Sequence, residues 1–329
     1  MSGPRSCYNT KLGRTLAPCQ AASFRGVIVG RMPVRIVLVL AAIVFLTFSA
    51  NALAWGPATH VQLASDLLSN LWLLPAGVAA LIARNRRFFI YGCVATDTVF
   101  AKKLSKIKQV CHHWDTGFSM LDAARTDGGR AFGYGYLAHL AADTVAHNKY
   151  LPRQVAVSRS TVSFGHIYWE FRADATIPQP HWQELRAALR GTYPEPEQLL
   201  EDRLRETLLS FRANRILFKQ MNLLCCERGW RKSVQFWSRL SRFNLDTRVL
   251  GAYRTESLDR IVDVLSRGSS SAMLYEDPNG NAALGLAKVQ RKHLRRMKRA
   301  RMPHAHIIEE TAAGLAPAPP NRPLLRRVV

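Results

Sequence analysis

In the stretch His139-Leu-Ala-Ala-Asp143-Thr-Val-Ala-His147, three metal-binding side chains recur at every fourth residue of an otherwise small and apolar run. On an α-helix that spacing stacks them along one face, with about 40° of drift per step. Nineteen residues after His147, His166 and Glu170 repeat the i, i+4 spacing on a second predicted helix. Neutral imidazole and carboxylate are ligands that zinc favours. Two inward-facing helices carrying such pairs can grip metal in the middle of a helical bundle.

A single His at helical spacing is ordinarily a packed or solvated residue. Clustering changes the argument. Six of the ten His fall before residue 175 (60, 112, 113, 139, 147 and 166), each close to an apolar or aromatic segment. Asp97, Asp143 and Glu170 lie inside apolar runs, where a carboxylate is costly to bury without partners. Shared cations would relieve that cost.

At 329 residues and 48% hydrophobic, the chain can bury a substantial core in one or two domains. Its formal charge of +23 favours anionic partners, acidic lipid headgroups or nucleic acid, without choosing between them. Residues 1–31 are basic and aperiodic, and translation is expected to start at Met32. From there Met-Pro-Val-Arg35 forms a positive lead, Ile36 to Ser49 an apolar run of fourteen residues, and Ala52-Leu53-Ala54 a small-residue ending. This is the pattern of a secretory signal peptide cleaved after Ala54. The run is shorter than the roughly 20 residues a membrane span needs. Export to the periplasm or beyond is therefore expected. Cleavage would leave Trp55 with a free amino group, able to chelate a metal together with its own carbonyl oxygen. His60 follows five residues on, where Pro57 opens a helix.

Taken together, the motifs Trp55-Gly-x-x-x-His60, Ala95-Thr-Asp97, His112-His-Trp-Asp115, His139-x3-Asp143, His147 and His166-x3-Glu170 resemble the zinc-dependent phospholipase C family over about residues 55–175. The resemblance extends to the related zinc single-strand nucleases, which usually close with His-x3-Asp where this chain has His166-x3-Glu170. It implies an all-α helical bundle binding up to three Zn2+ ions. Trp55 (through its amino and carbonyl groups) and His60 would hold one, and Asp97, His112 and His139 a second, with Asp143 bridging the two. His147, His166 and Glu170 would hold the third. The implied reaction is phosphodiester hydrolysis, most simply of a phospholipid to diacylglycerol and a phosphorylated alcohol. Zinc would supply Lewis acidity and an activated water, with Asp97 either orienting or deprotonating that water or serving as a plain ligand. The alternatives are a single-strand nuclease, or a non-catalytic metal-stabilised protein that binds lipid or nucleic acid.

Two details depart from the family pattern. Three residues separate Asp143 from His147 where the family typically has five, so the third zinc would sit differently unless the helix is distorted. His113 has the same chemistry as His112, the residue that aligns. Asp115 and Asn148 are either partners that fix an imidazole or helix caps. The aromatics Phe132, Tyr134, Tyr136, Tyr168 and Trp169 either line a ligand pocket or pack the core.

Helices are expected over 57–73, 76–85, 114–126, 130–150, 164–176, 195–222 and 228–248. Residues 1–54 read as extension and signal, 55–270 as the helical domain, and 271–329 as a basic, largely disordered tail. Within that tail, 288–301 is a dense cationic run suited to anionic lipid or nucleic acid. In an exported protein Cys93 and Cys111 are candidates for a disulfide.

Overall fold

A computed structural model describes residues 55–98, 110–158, 162–203, 210–241, 243 and 245–319, without the side chains of 110, 157 and 162–166. The signal-type run and the proposed cleavage site lie outside them, apart from Trp55. Secondary structure among the described residues is entirely helical, so the fold is all-α. No described helix is long and apolar enough to cross a membrane.

The helices in chain order are α1 (Pro57–Leu68), α2 (Ala76–Arg84), α3 (Arg86–Ala95), α4 (Trp114–Ala123), α5 (Asp127–Val145), α6 (Leu151–Ser158) and α7 (Val162–Asp174). Further along come α8 (Gln179–Arg190), α9 (Pro194–Arg203), α10 (Phe211–Cys225), α11 (Arg228–Arg239), α12 (Thr247–Arg267), α13 (Asn281–Arg299) and α14 (Ala305–Gly314). A five-residue π-helical turn, Ala146–Tyr150, joins α5 to α6.

Helix α5 is the axis of the bundle. Its residues are buried on every face rather than along one stripe, the pattern of a helix enclosed by others. Helices α3, α4 and α12 pack around it. The α3–α5 crossing is unusually close because Gly92 and Gly135 face each other there. A Cβ on Gly135 would stand 2.1 Å from the Phe89 carbonyl oxygen, and one on Gly92 2.2 Å from that of Phe132. Two hydrogens in place of side chains let the backbones touch.

Helix α12 was not anticipated as a core element, yet it buries Leu250, Tyr253, Leu258, Ile261, Val264 and Leu265. The expected helix over 228–248 ends at Arg239, and Asp246 caps α12 by accepting from the amides of Arg248 (2.9 Å) and Val249 (3.2 Å). The expected helix over 195–222 is two helices, α9 and α10.

The expectation of disorder after residue 271 is corrected. Helices α13 and α14 pack on α6, α13 also meets the π turn, and α13 buries Ala287 and Leu294. A sparse apolar stripe at seven-residue spacing was hidden there by the surrounding Lys and Arg. Residues 315–318 are also tied down. The Leu315 carbonyl accepts from the Tyr253 hydroxyl, and the Ala318 amide donates to Glu256 Oε2 at 2.9 Å.

The expected Cys93–Cys111 disulfide is likewise corrected, because both are thiols. The Cys111 sulfur lies 3.3 Å from His112 Nδ1, and burial pushes the Cys93 thiol pKa up. Phe132, Tyr136 and Trp169 are core residues, whereas Tyr134 and Tyr168 are half-buried at its edge.

Candidate metal centre

Five elements deliver the site. Helix α1 begins at Pro57, and Asp174 at the end of α7 caps it from across the bundle. The Asp174 carboxylate accepts from the amides of Ala58 (3.1 Å) and Thr59 (3.0 Å) and from the Thr59 hydroxyl (2.6 Å). That fixes the first turn of α1 and hence His60, whose ring stacks on His139 with centroids 3.9 Å apart. The 3-10 turn Thr96–Thr98 after α3 carries Asp97, and the 3-10 turn Val110–His112 carries His112. Helix α5 supplies His139 and Asp143 one turn apart, and the π turn supplies His147.

Asp143 is the centre. It is fully buried, and three imidazoles point their Nε2 atoms at it. His60 reaches Oδ1 at 3.2 Å, while His112 and His139 reach Oδ2 at 3.3 and 3.2 Å. Asp97 joins through His112 Nε2 at 3.3 Å and His139 Nε2 at 3.8 Å. The groups whose donor atoms lie within 4.8 Å of one another are His60/Asp97/His139 and His112/His139/Asp143.

Whether these residues suit a metal ion can be tested on their own geometry. His139 donates Nδ1–H to the Cys93 carbonyl at 2.8 Å, which turns Nε2 into the cluster. There Nε2 faces an Asp143 oxygen at 3.2 Å and His112 Nε2 at 3.3 Å. Neither Asp143 oxygen, nor His60 Nε2, gains a properly aligned hydrogen bond despite these separations. Donors held tetrahedrally at about 2.0–2.1 Å from a zinc stand about 3.3 Å apart, which is the spacing observed. The set fits a divalent cation.

The electrostatics agree. Burial, with a smaller contribution from His139, pushes the His60 pKa down, so the ring is neutral and in its ligating form. Burial by itself would raise the Asp143 carboxyl. The electrostatic interaction with His139 and the contacts to His112, His139 and His60 overcome it and hold Asp143 well below the usual carboxylate range.

Of the remaining expected ligands, Trp55 is fully buried beside the π turn, its ring stacked on Tyr150 at 4.7 Å and its Nε1 donating to Ser257 Oγ at 3.1 Å. His147 is buried with Nδ1 4.0 Å from Asp143 Oδ2, and Glu170 is buried on α7. The His166 side chain lies outside the described residues. His112 sits inside the cluster, whereas His113 is exposed at the start of α4. Asp115 is exposed too, and Asn148 donates to the Asp277 carbonyl at 3.0 Å instead of fixing an imidazole.

The residues not anticipated are those that hold the rings: the Cys93 carbonyl on His139, the Pro278 carbonyl on His147 (2.5 Å from Nδ1) and Asn279 on the His112 carbonyl (3.1 Å). The turn chemistry of Asp277-Pro-Asn-Gly280 was a usable signal. Nothing in the sequence told where that turn docks.

The all-helical bundle thus encloses a buried His/Asp cluster able to hold a metal ion. Residues 59–214, just under half of the chain, match the family model of zinc-dependent phospholipase C. Over those residues the chain is similar to that family. No curated protein and no solved structure matches the chain.

Proposed function

We propose that the protein is an exported phospholipase C that hydrolyses phospholipid headgroups to diacylglycerol and a phosphorylated alcohol. The observation that carries this reading is the convergence of His60, His112 and His139 on Asp143 at 3.2–3.3 Å, inside the region matched by the family. His60, Asp97, His112, His139 and Asp143 would hold zinc, with His147 beside them. When bound, zinc supplies Lewis acidity toward phosphoryl oxygens and lowers the pKa of water.

The chain's own groups do the rest. Asp97 is the most solvent-reached member of the cluster, 7% exposed against 0–2% for His60, His112, His139, Asp143 and His147. It would orient the attacking water and accept its proton at the cluster's wet edge. The Cys93 carbonyl accepts from His139 Nδ1, so that His139 Nε2 faces the reacting centre, and the Pro278 carbonyl orients His147 through its Nδ1.

Two surface features favour lipid over nucleic acid as the anionic partner. Phe236, Trp237 and Leu240 are exposed on and just beyond α11, a helix with four Lys/Arg and no acid. Leu286 and Val289 are exposed on the strongly basic α13. Apolar and cationic side chains sharing one exposed helix suit an acidic bilayer interface.

The test is an assay of the zinc-loaded protein on phosphatidylcholine vesicles and on single-stranded DNA. Diacylglycerol release without nucleotide release is expected. Nucleotides without diacylglycerol would transfer the site to the nuclease branch.

A further inference from the structure

The family match stops at residue 214, yet His112 in the cluster and His147 beside it are held from the far end of the chain. Residues Glu276–Gly280 form a short turn laid directly against the site. The Pro278 carbonyl accepts from His147 Nδ1 at 2.5 Å, and Asn279 Nδ2 donates to the His112 carbonyl at 3.1 Å. One contact sets the tautomer and orientation of a ring, and the other fixes the backbone that presents a second ring.

The turn is itself braced. Asp277 Oδ1 accepts from the Asn279 amide (2.9 Å) and Asn279 Nδ2 (3.1 Å), and its Oδ2 accepts from the Asn281 amide (3.1 Å). Its carbonyl accepts from Asn148 in the π turn, and the Glu276 carbonyl accepts from Trp114 Nε1 at 3.0 Å. The Glu276 carboxylate pairs with Arg260 on α12, and Arg260 also donates to Thr144, the neighbour of Asp143.

Gly280 permits the close approach. Its φ of 59° is left-handed, and a Cβ there would lie 2.4 Å from the His147 carbonyl oxygen and 2.5 Å from the His147 Cβ. A side chain would be strained and would push the turn off His147.

We infer that Glu276–Gly280 is a positioning clasp that completes the metal centre, so that residues beyond the family-matched region set the affinity for zinc. Pro278 and Asn279 act through His147 and His112, and neither is a catalytic residue. The inference rests on the metal reading of the cluster.

The experiment measures zinc affinity of the full-length chain by chelator competition, beginning from metal-free protein, with the urea midpoint of the metal-free form as a second readout. Outer partners of metal ligands typically contribute about 10–100-fold in affinity. Asn279→Ala and Gly280→Ala should weaken zinc by about that factor, and Asn279→Gln, which keeps an amide donor, should recover most of it. The metal-free midpoint of Asn279→Ala should stay close to that of the parent. Parent-like zinc affinity in Asn279→Ala would overturn the clasp while leaving the metal reading intact. Should Gly280→Ala fail to fold, Asn279→Ala alone decides. Failure of the parent to bind zinc at all would overturn both.

Discussion

Asp174 shows how one buried carboxylate supports the site without belonging to it. It caps α1 and so aims His60, yet its burial outweighs the hydrogen bonds from Thr59 and Ala58 and raises its pKa to about 6. The folded pKa exceeds the ordinary value of 3.8. The contribution to stability is therefore full below about pH 4 and is lost as pH rises through about 6. Asp174→Asn removes that titration. The stability of the variant relative to the parent should accordingly rise by on the order of 3 kcal/mol from pH 4 to pH 7. Urea unfolding of the metal-free proteins across that range measures it, and a flat difference would refute the assignment. The residue types of the cluster stood out in the sequence because carboxylates and imidazoles in apolar runs are conspicuous. Asp174 did not, since its role depends on a helix that arrives 115 residues earlier in the chain.

At the scale of elements, the question raised by the short Asp143–His147 spacing is met by the π turn that begins at Ala146. A π turn widens the helix by one residue and rotates the residues after it, a distortion that concentrates at functional sites. His147 thereby keeps Nδ1 on Pro278 while remaining 4.0 Å from Asp143. The spacing alone left open whether the helix departs from α geometry or the third zinc sits differently, and the π turn is the departure observed. The α3–α5 crossing was equally hidden, because Gly92 and Gly135 belong to segments without an obvious shared motif. Gly135→Ala should destabilise the metal-free protein by about 1–3 kcal/mol, as overpacking does. It should also weaken zinc binding, because separating the helices withdraws the Cys93 carbonyl from His139. Parent-like unfolding would show that the contact is more accommodating than its 2.1 Å approach implies.

For the molecule as a whole, residues far apart in the chain build one site. Helices α1 and α5 and the 3-10 turns supply the donors, α12 and α7 brace them, and the segment before α13 closes over them. The motifs that carry His60, Asp97, His112, His139 and Asp143 were conspicuous because each is local. The closing segment was not, because its basic surroundings read as a solvated tail and its docking is decided only by tertiary packing.

Zinc retention tests this account most directly. The full-length chain would be equilibrated with zinc, dialysed into metal-free buffer and analysed for metal alongside Asp143→Asn and His139→Ala. The parent should retain zinc in stoichiometric amount, bound through nitrogen and oxygen donors, and both variants should bind it at least about tenfold more weakly. Equal retention by all three proteins, or none by the folded parent, would contradict the claim that these side chains converge on a divalent cation.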